Sequence, residues 1–382
     1  MTGPLSGLKV VEFAGIGPGP FCAMVLADMG ADVLRVDRAG GSALPISLDP
    51  ARDVLNRGRR SVMIDLKNPE GLEAVHRLCE RADALIEGYR PGVMERLGIG
   101  PDECLRRNPK LVYGRMTGWG QEGPLAKRAG HDITYIATSG VLHTIGRKGE
   151  LPVAPAGYIG DMGGGGMLLA FGIMCALFES HRSGAGQVVD AAMVDGSSLL
   201  GAGLYGLMAM GLFDADRWGV NMGDTGSHFY EVYETSDGKL MAVGALEPAF
   251  YAQLLAGLGL GAADLPAQMD SAAWPAMKER FRAIFRTKSR AEWETVFEGK
   301  DACVAAVLSP REAAEGPHMK TRRAFSDAFG VLQPSPAPRF SRTPGAISRP
   351  PPAPGQHTDE ALGDWGFAAD TIRTLRRGGA VG

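Results

Sequence analysis

The chain has 382 residues, 45% of them hydrophobic and 22% charged, a balance that excludes a disordered or fibrous protein and fits a soluble globular enzyme of two domains. Its 40 basic and 43 acidic residues leave a formal net charge of −3, which excludes a broadly basic surface for nucleic acid and still permits a local basic patch. Five cysteines, Cys22, Cys79, Cys104, Cys175 and Cys303, form neither a CxxC pair nor a metal-like spacing, so no metal is expected. Each reads as a small buried apolar residue in a reducing compartment. The opening MTGPLSGLKVVEF lacks a basic stretch followed by an apolar one, and the longest apolar run, Met167 to Phe178, is too short to span a bilayer. A cytoplasmic protein without membrane insertion is expected.

In chain order, LKVVEFA predicts a buried strand, followed by a Gly/Pro turn and a helix, PFCAMVLADMG, that stops at Gly30. ADVLRVD and SVMIDL predict two further strands. Asn68 and Pro69 open PEGLEAVHRLCERA with a capping side chain and a first-turn proline. DALIEGY and KLVYGRMTG complete the set. Strands alternating with helices of this length predict an α/β domain with a Rossmann-like, doubly wound parallel sheet. A long apolar helix is expected from Gly163 to about His181. Between Leu240 and Leu308 a short strand, KLMAVGAL, precedes amphipathic helices, which predicts a smaller α+β domain. Residues 333–356 are too rich in proline for a helix or central strand and should run extended over the surface, with a last helix after Thr358. The expected organisation is a large domain over 1–200 completed by 330–382, a linker over 201–225, a small domain over 226–315 and a return linker over 316–329.

AGIGPGPFCAMVL sits where a dinucleotide-binding fingerprint would, after the first strand and opening a helix. Gly15 and Gly17 fit the spacing and Asp37 ends the next strand, but Pro20 holds the third glycine position. Pro18 and Pro20 also remove two N–H donors that a pyrophosphate would need, so NAD is disfavoured. Arg38, the pair Arg59 and Arg60 in NRGRRS, and Arg90 in EGYRPGV lie in three separate loops. Guanidinium forks from several loops converge well on phosphate oxygens, which points to another phosphate-bearing ligand.

Three further residues carry possible proton chemistry. His131 stands beside Asp132 in AGHDITY. Asp161 lies in GYIGDMGGGG at the start of the long helix, where it either caps that helix or sits at its positive end beside glycines that let a ligand approach the backbone. Glu247 follows the strand MAVGALEP and, alone, reads as a solvated turn residue.

Together AGHD, GDMGGG, DAAMVDGS, MAVGALEP and DACV, in this order along nearly the whole chain, strongly resemble the α-methylacyl-CoA racemases of the wider family III CoA-transferase superfamily. The resemblance implies that His131 and Asp161 are an acid/base pair and that Glu247 supports the histidine. It implies interconversion of (R)- and (S)-2-methylacyl-CoA thioesters in branched-chain lipid metabolism by proton removal from one face of the α-carbon and return to the other, through an enolate. One base cannot reach both faces, so two are needed. The amides that follow Asp161 would stabilise the enolate oxygen. Coenzyme A enters as part of the substrate, and no separate cofactor is required. The resemblance makes Arg38, Arg59, Arg60 and Arg90 the candidates for its phosphates, with Gly15, Ile16 and Gly17 near its pantetheine or adenine. Met162, Met193, Met208, Met210 and Met222 are candidates for the acyl path. It also implies an interlocked homodimer in which Glu247 serves the partner's site. Asp132 is expected to order the turn that holds the histidine.

The chain departs from that pattern at Gly157–Gly160 before Asp161, at Asp224, Ser227 and His228 in GDTGSHFY, and in DACVAAVL, which puts the acyl preference in doubt. His228 is expected as a solvated turn residue. The competing reading is CoA transfer between carboxylic acids, with the aspartate as a nucleophile forming an anhydride; His131 and Glu247 favour proton transfer.

Overall fold

Six short apolar segments build a parallel sheet: β1 (Lys9–Phe13), β2 (Asp32–Asp37), β3 (Arg60–Met63), β4 (Ala84–Glu87), β5 (Val112–Thr117) and β6 (Val188–Ala192), in the order β3-β2-β1-β4-β5-β6. They are seen in a computed structural model that describes residues 3–38, 49–261 and 265–382. The chain divides into two compact units, one of Met1–Ser139, Pro155–Leu200 and Arg323–Gly382 and the other of Gly140–Ala154 and Gly201–Arg322.

In the first unit the strands are covered on both faces, which is why they read as continuous apolar runs. Successive residues point to opposite sides. Val11, Leu34, Val62 and Leu85 pack with Leu78 of helix Pro69–Cys79 and with Leu362, Trp365 and Leu375 of the two C-terminal helices, Thr358–Asp364 and Ala369–Arg377, and the turn between them. Val10, Val33 and Ile86 face the other way, against helix Pro18–Asp28 and helix Leu168–Ser183. Strand order reverses between β1 and β4, so the loops leaving their carboxyl ends flank the crevice where such sheets bind ligands. The proline-rich return segment is tied down by Arg57, whose guanidinium meets Asp28 at 2.6 Å and the Pro334 carbonyl at 2.9 Å.

The long helix differs from its sequence reading. It runs unbroken for 26 residues from Tyr158 to Ser183 and is long and apolar enough to cross a membrane by length and composition alone. Its start lies in the glycine-rich stretch, where Tyr158–Met167 follows π hydrogen bonding before α geometry sets in at Leu168. Leu169, Ile173 and Leu177 are buried on the sheet, while Met167, Phe171 and Phe178 are exposed. The glycines have a packing reason: a Cβ at Gly196, in helix Met193–Leu200, would stand 1.9 Å from the Gly164 carbonyl oxygen. Two helical backbones therefore touch there.

The second unit holds a three-stranded antiparallel sheet of β7 (Tyr230–Glu234), β8 (Leu240–Gly244) and β9 (Val304–Ala306). Phe229, Tyr233, Phe281, Phe285 and Trp293 fill its core. Residues 140–154 belong to this unit, although their sequence pattern joined them to the large domain. Helix Ala202–Ala209 occupies part of the stretch read as a linker. His228 is only 1% exposed, with Nε2 2.8 Å from the Tyr251 hydroxyl and Phe229 and Phe281 edge-on to its ring. The expectation of a solvated residue there is corrected: the ring is a core side chain. Cys22, Cys79 and Cys104 are buried, but Cys175 and Cys303 are exposed, contrary to their reading as core residues.

Candidate active site

Asp161 sits inside the first turn of the long helix, because that helix starts at Tyr158, after Gly157 in the left-handed region at φ 81°. Gly157, not Asp161, holds the capping position, so the capping reading is set aside. The carboxylate reaches back to the loop after β1, where a Cβ on Gly17 would lie 3.2 Å from Oδ2. Gly17, at φ 66°, thus combines a turn closed to other residues with room for a carboxylate. Burial, and then the neighbouring negative charge of Asp132, push the Asp161 carboxyl up to about 6, against a smaller opposing pull from His131.

His131 precedes the short helix Asp132–Thr138. Thr134 closes this turn: its hydroxyl accepts from the His131 amide at 3.0 Å and donates to the His131 carbonyl at 2.7 Å. The imidazole is exposed, and its charge is felt at Asp161. Gly130, in AGHD, is required to be small, since a Cβ would stand 2.5 Å from the Tyr135 ring. That ring packs edge-on against Trp119 at 4.8 Å. Asp132 does something other than order the turn. Its Oδ2 accepts from the Asp161 amide at 2.8 Å, across 29 residues of sequence.

The amide that follows Asp161, on Met162, donates to the Gly157 carbonyl at 3.1 Å. With the helix already under way and the Asp161 amide held by Asp132, the sequence-based expectation of an open enolate site in the backbone just after Asp161 is corrected.

The four candidate arginines separate into two pairs. Arg38 and Arg90 are exposed in the loops after β2 and β4, at the same carboxyl edge as exposed Gly15 and Ile16 and half-buried Gly17. Arg59 is fully buried, ion-paired with Glu12 and donating to the Pro20 carbonyl at 3.1 Å. Arg60 opens β3 at the opposite edge of the sheet, pairing with Asp32 at 2.9 Å and Asp364 at 2.6 Å. Those two assignments to phosphate are corrected: each guanidinium is held by an acid of the sheet or of the C-terminal helices. Asp37 likewise meets Arg35 at 3.0 Å and the Ser61 hydroxyl at 2.7 Å, so it is not presented to a ribose. Met193 is core. Sequence reading missed Glu87, buried at the carboxyl end of β4, where it accepts from the Tyr89 amide at 2.7 Å and from Arg115 Nε at 3.0 Å. Burial pushes its carboxyl up to about 7.

Glu247 belongs to the second unit. It is exposed at the start of helix Pro248–Gly257, its carbonyl accepting from the Tyr251 amide at 2.9 Å, with no capping bond from its side chain.

Residues 5–358 match the model of CoA-transferase family III. The chain is 48% identical over 373 residues to the α-methylacyl-CoA racemase of Mus musculus, covering 97% of this chain and 96% of that one. It is 47% identical to the α-methylacyl-CoA racemase of Homo sapiens over the same shares. Among solved structures it is similar to a CAIB/BAIF family protein from Brucella suis, with a TM-score of 0.81 and 26% identity over 96% of this chain and 100% of that one. A family match over most of the length, and relatives at this identity end to end, mean that the chain belongs to CoA-transferase family III.

Proposed function

We propose that this protein is a racemase that interconverts (R)- and (S)-2-methylacyl-CoA thioesters by two-base proton transfer. Identity of 47–48% over 97% of the chain to racemases supports the reaction class. What carries the mechanism is the Asp161 carboxyl, half-buried, pushed up to about 6 by burial and then by Asp132, and within electrostatic reach of the exposed His131. A carboxyl tuned to that range exchanges a proton readily near neutral pH, which suits an acid/base better than a permanently ionised nucleophile.

In one direction neutral His131 removes the α-proton, the electron pair moves onto the thioester oxygen, and protonated Asp161 delivers a proton to the opposite face of the carbon. The reverse reaction exchanges the two roles. The net change is inversion, and no redox or metal chemistry is called for. Coenzyme A is carried in by the substrate, with Gly15, Ile16, Gly17, Arg38 and Arg90 as its proposed contacts. The exposed apolar face of Met167, Phe171 and Phe178 supports a homodimer, in which the partner's Glu247 would orient His131 through its second ring nitrogen.

The test is incubation with (R)-2-methylacyl-CoA in D2O. Deuterium is expected at the α-carbon together with loss of optical purity. His131→Ala and Asp161→Ala should each lower the rate at least about a hundredfold. Coenzyme A passing to an added carboxylate without α-deuteration would establish transfer instead.

A further inference from the structure

Asp132 has no role in the two-base scheme, yet its surroundings are built around it. It is buried next to a second carboxylate, and among the described residues no lysine or arginine pairs with it. A buried acid without a cation is costly unless it acts on something. Capping does not account for it, because the Thr134 hydroxyl closes the turn at His131. The carboxylate instead lies in a slot against Gly160, where a Cβ would come within 2.5 Å of Oδ2, with the Ile136 side chain beside it. Gly160, directly ahead of Asp161, is thus the glycine that admits this side chain. From the slot Oδ2 takes the Asp161 amide at 2.8 Å.

We propose that Asp132 is a positioning residue that fixes the backbone under Asp161 and, through its negative charge, adds to burial in making Asp161 retain a proton that His131 would otherwise hold. This rests on the two-base reading. The singly protonated pair works in one direction with the proton on the carboxyl and in the other with it on the imidazole. An ordinary aspartate and an ordinary imidazole differ by roughly 2.6 units, so a shared proton would sit on the carboxyl about once in four hundred. Raising the carboxyl makes both forms of the pair abundant, which a reaction with near-equal forward and reverse demand requires. The charged groups acting at Asp161 are Asp132 and His131; Asp161 in turn acts on the Tyr135 phenol, on which Arg90 pulls the other way from the loop after β4. The loop after β1 and the helix Met193–Leu200, packed on the same segment, present Gly17 and Gly196.

Asp132→Asn separates charge from hydrogen bonding, because the amide oxygen can still accept from the Asp161 N–H. Its kcat/KM for α-deuteration is expected to fall on the order of tenfold at neutral pH, with the acid limb of its pH profile displaced to lower pH. Asp132→Ala, which loses the acceptor as well, should fall further at an unchanged melting temperature or fail to fold. An acid limb in Asp132→Asn that coincides with the native one overturns the proposal. A second reading needs no Asp132 variant. In carboxyl-13C aspartate-labelled native protein, the signal missing from Asp161→Asn should titrate well above the ordinary aspartate range; titration inside that range overturns the proposal too. If Asp161→Asn itself racemises normally, the two-base reading has failed; if it is inactive and the limb does not move, only the role of Asp132 has.

Discussion

An imidazole sealed among aromatic rings must shed its proton to stay there. Burial, and then the charge of Lys278, lower the His228 pKa from 6.5 to about 4. Between those values the unfolded chain binds more protons than the folded one, so this residue's contribution to stability rises with pH across the window and is lost as pH falls from about 6.5 toward 4. Urea midpoints of the native protein should therefore drop over that range, and His228→Gln should flatten the drop; an equal slope in both would place it elsewhere. His228 was illegible in the sequence because GDTGSHFY offers turn residues on either side, and only the tertiary core decides that the ring turns inward. The same limit applies to Arg59 and Arg60. A loop arginine looks alike whether it meets a ligand or an acid such as Glu12 or Asp32, brought close by strand pairing. The roles proposed for His131 and Asp161 rest on the resemblance of AGHD and GDMGGG to the racemase motifs; the glycines beside them, Gly130 and Gly163–Gly166, mark only where the backbone comes close to something else. What Asp132 holds was not legible, since its partner lies 29 residues away.

Elements were more legible than contacts. Strand runs rich in Val, Ile and Leu, and the Asn68-Pro69 start of helix Pro69–Cys79, depend on local chemistry, and Asn68 does accept from the Glu70 amide at 2.9 Å. The start of the long helix was placed late because its first turns are glycine, a poor helix former whose presence reflects packing rather than propensity. At the Gly164–Gly196 crossing that packing is testable. Gly196→Ala would drive a methyl group into the Gly164 carbonyl at 1.9 Å and should destabilise the protein by roughly 3 kcal/mol. Loss of activity should accompany it, because the displaced turn carries Asp161. Thermal unfolding and α-deuteration rates measured together check this; a variant that melts normally would mean the two helices part at no cost.

For the whole molecule, the proposed dimer makes each site depend on both chains, which subunit mixing can test. A chain carrying His131→Ala combined with one carrying Glu247→Ala leaves one intact set in every mixed dimer if Glu247 serves its partner. Activity of the mixture should exceed that of either parent after co-expression. Mixtures no better than the parents would place both residues in one chain's own site. The change in pattern that suggests a second domain lies well after Gly201, where the second unit resumes, and the detour of residues 140–154 into that unit leaves no trace in the sequence, having no composition of its own. That detour has a consequence for how the site can vary. The chain leaves the first unit just after the helix that follows His131 and rejoins it at Pro155, shortly before Asp161. The two proposed bases thus stand at the two feet of a single insert, and because Asp132 ties those feet together through the Asp161 amide at 2.8 Å, the far part of the insert can lengthen or shorten while the bases and all six strands of the sheet stay as they are.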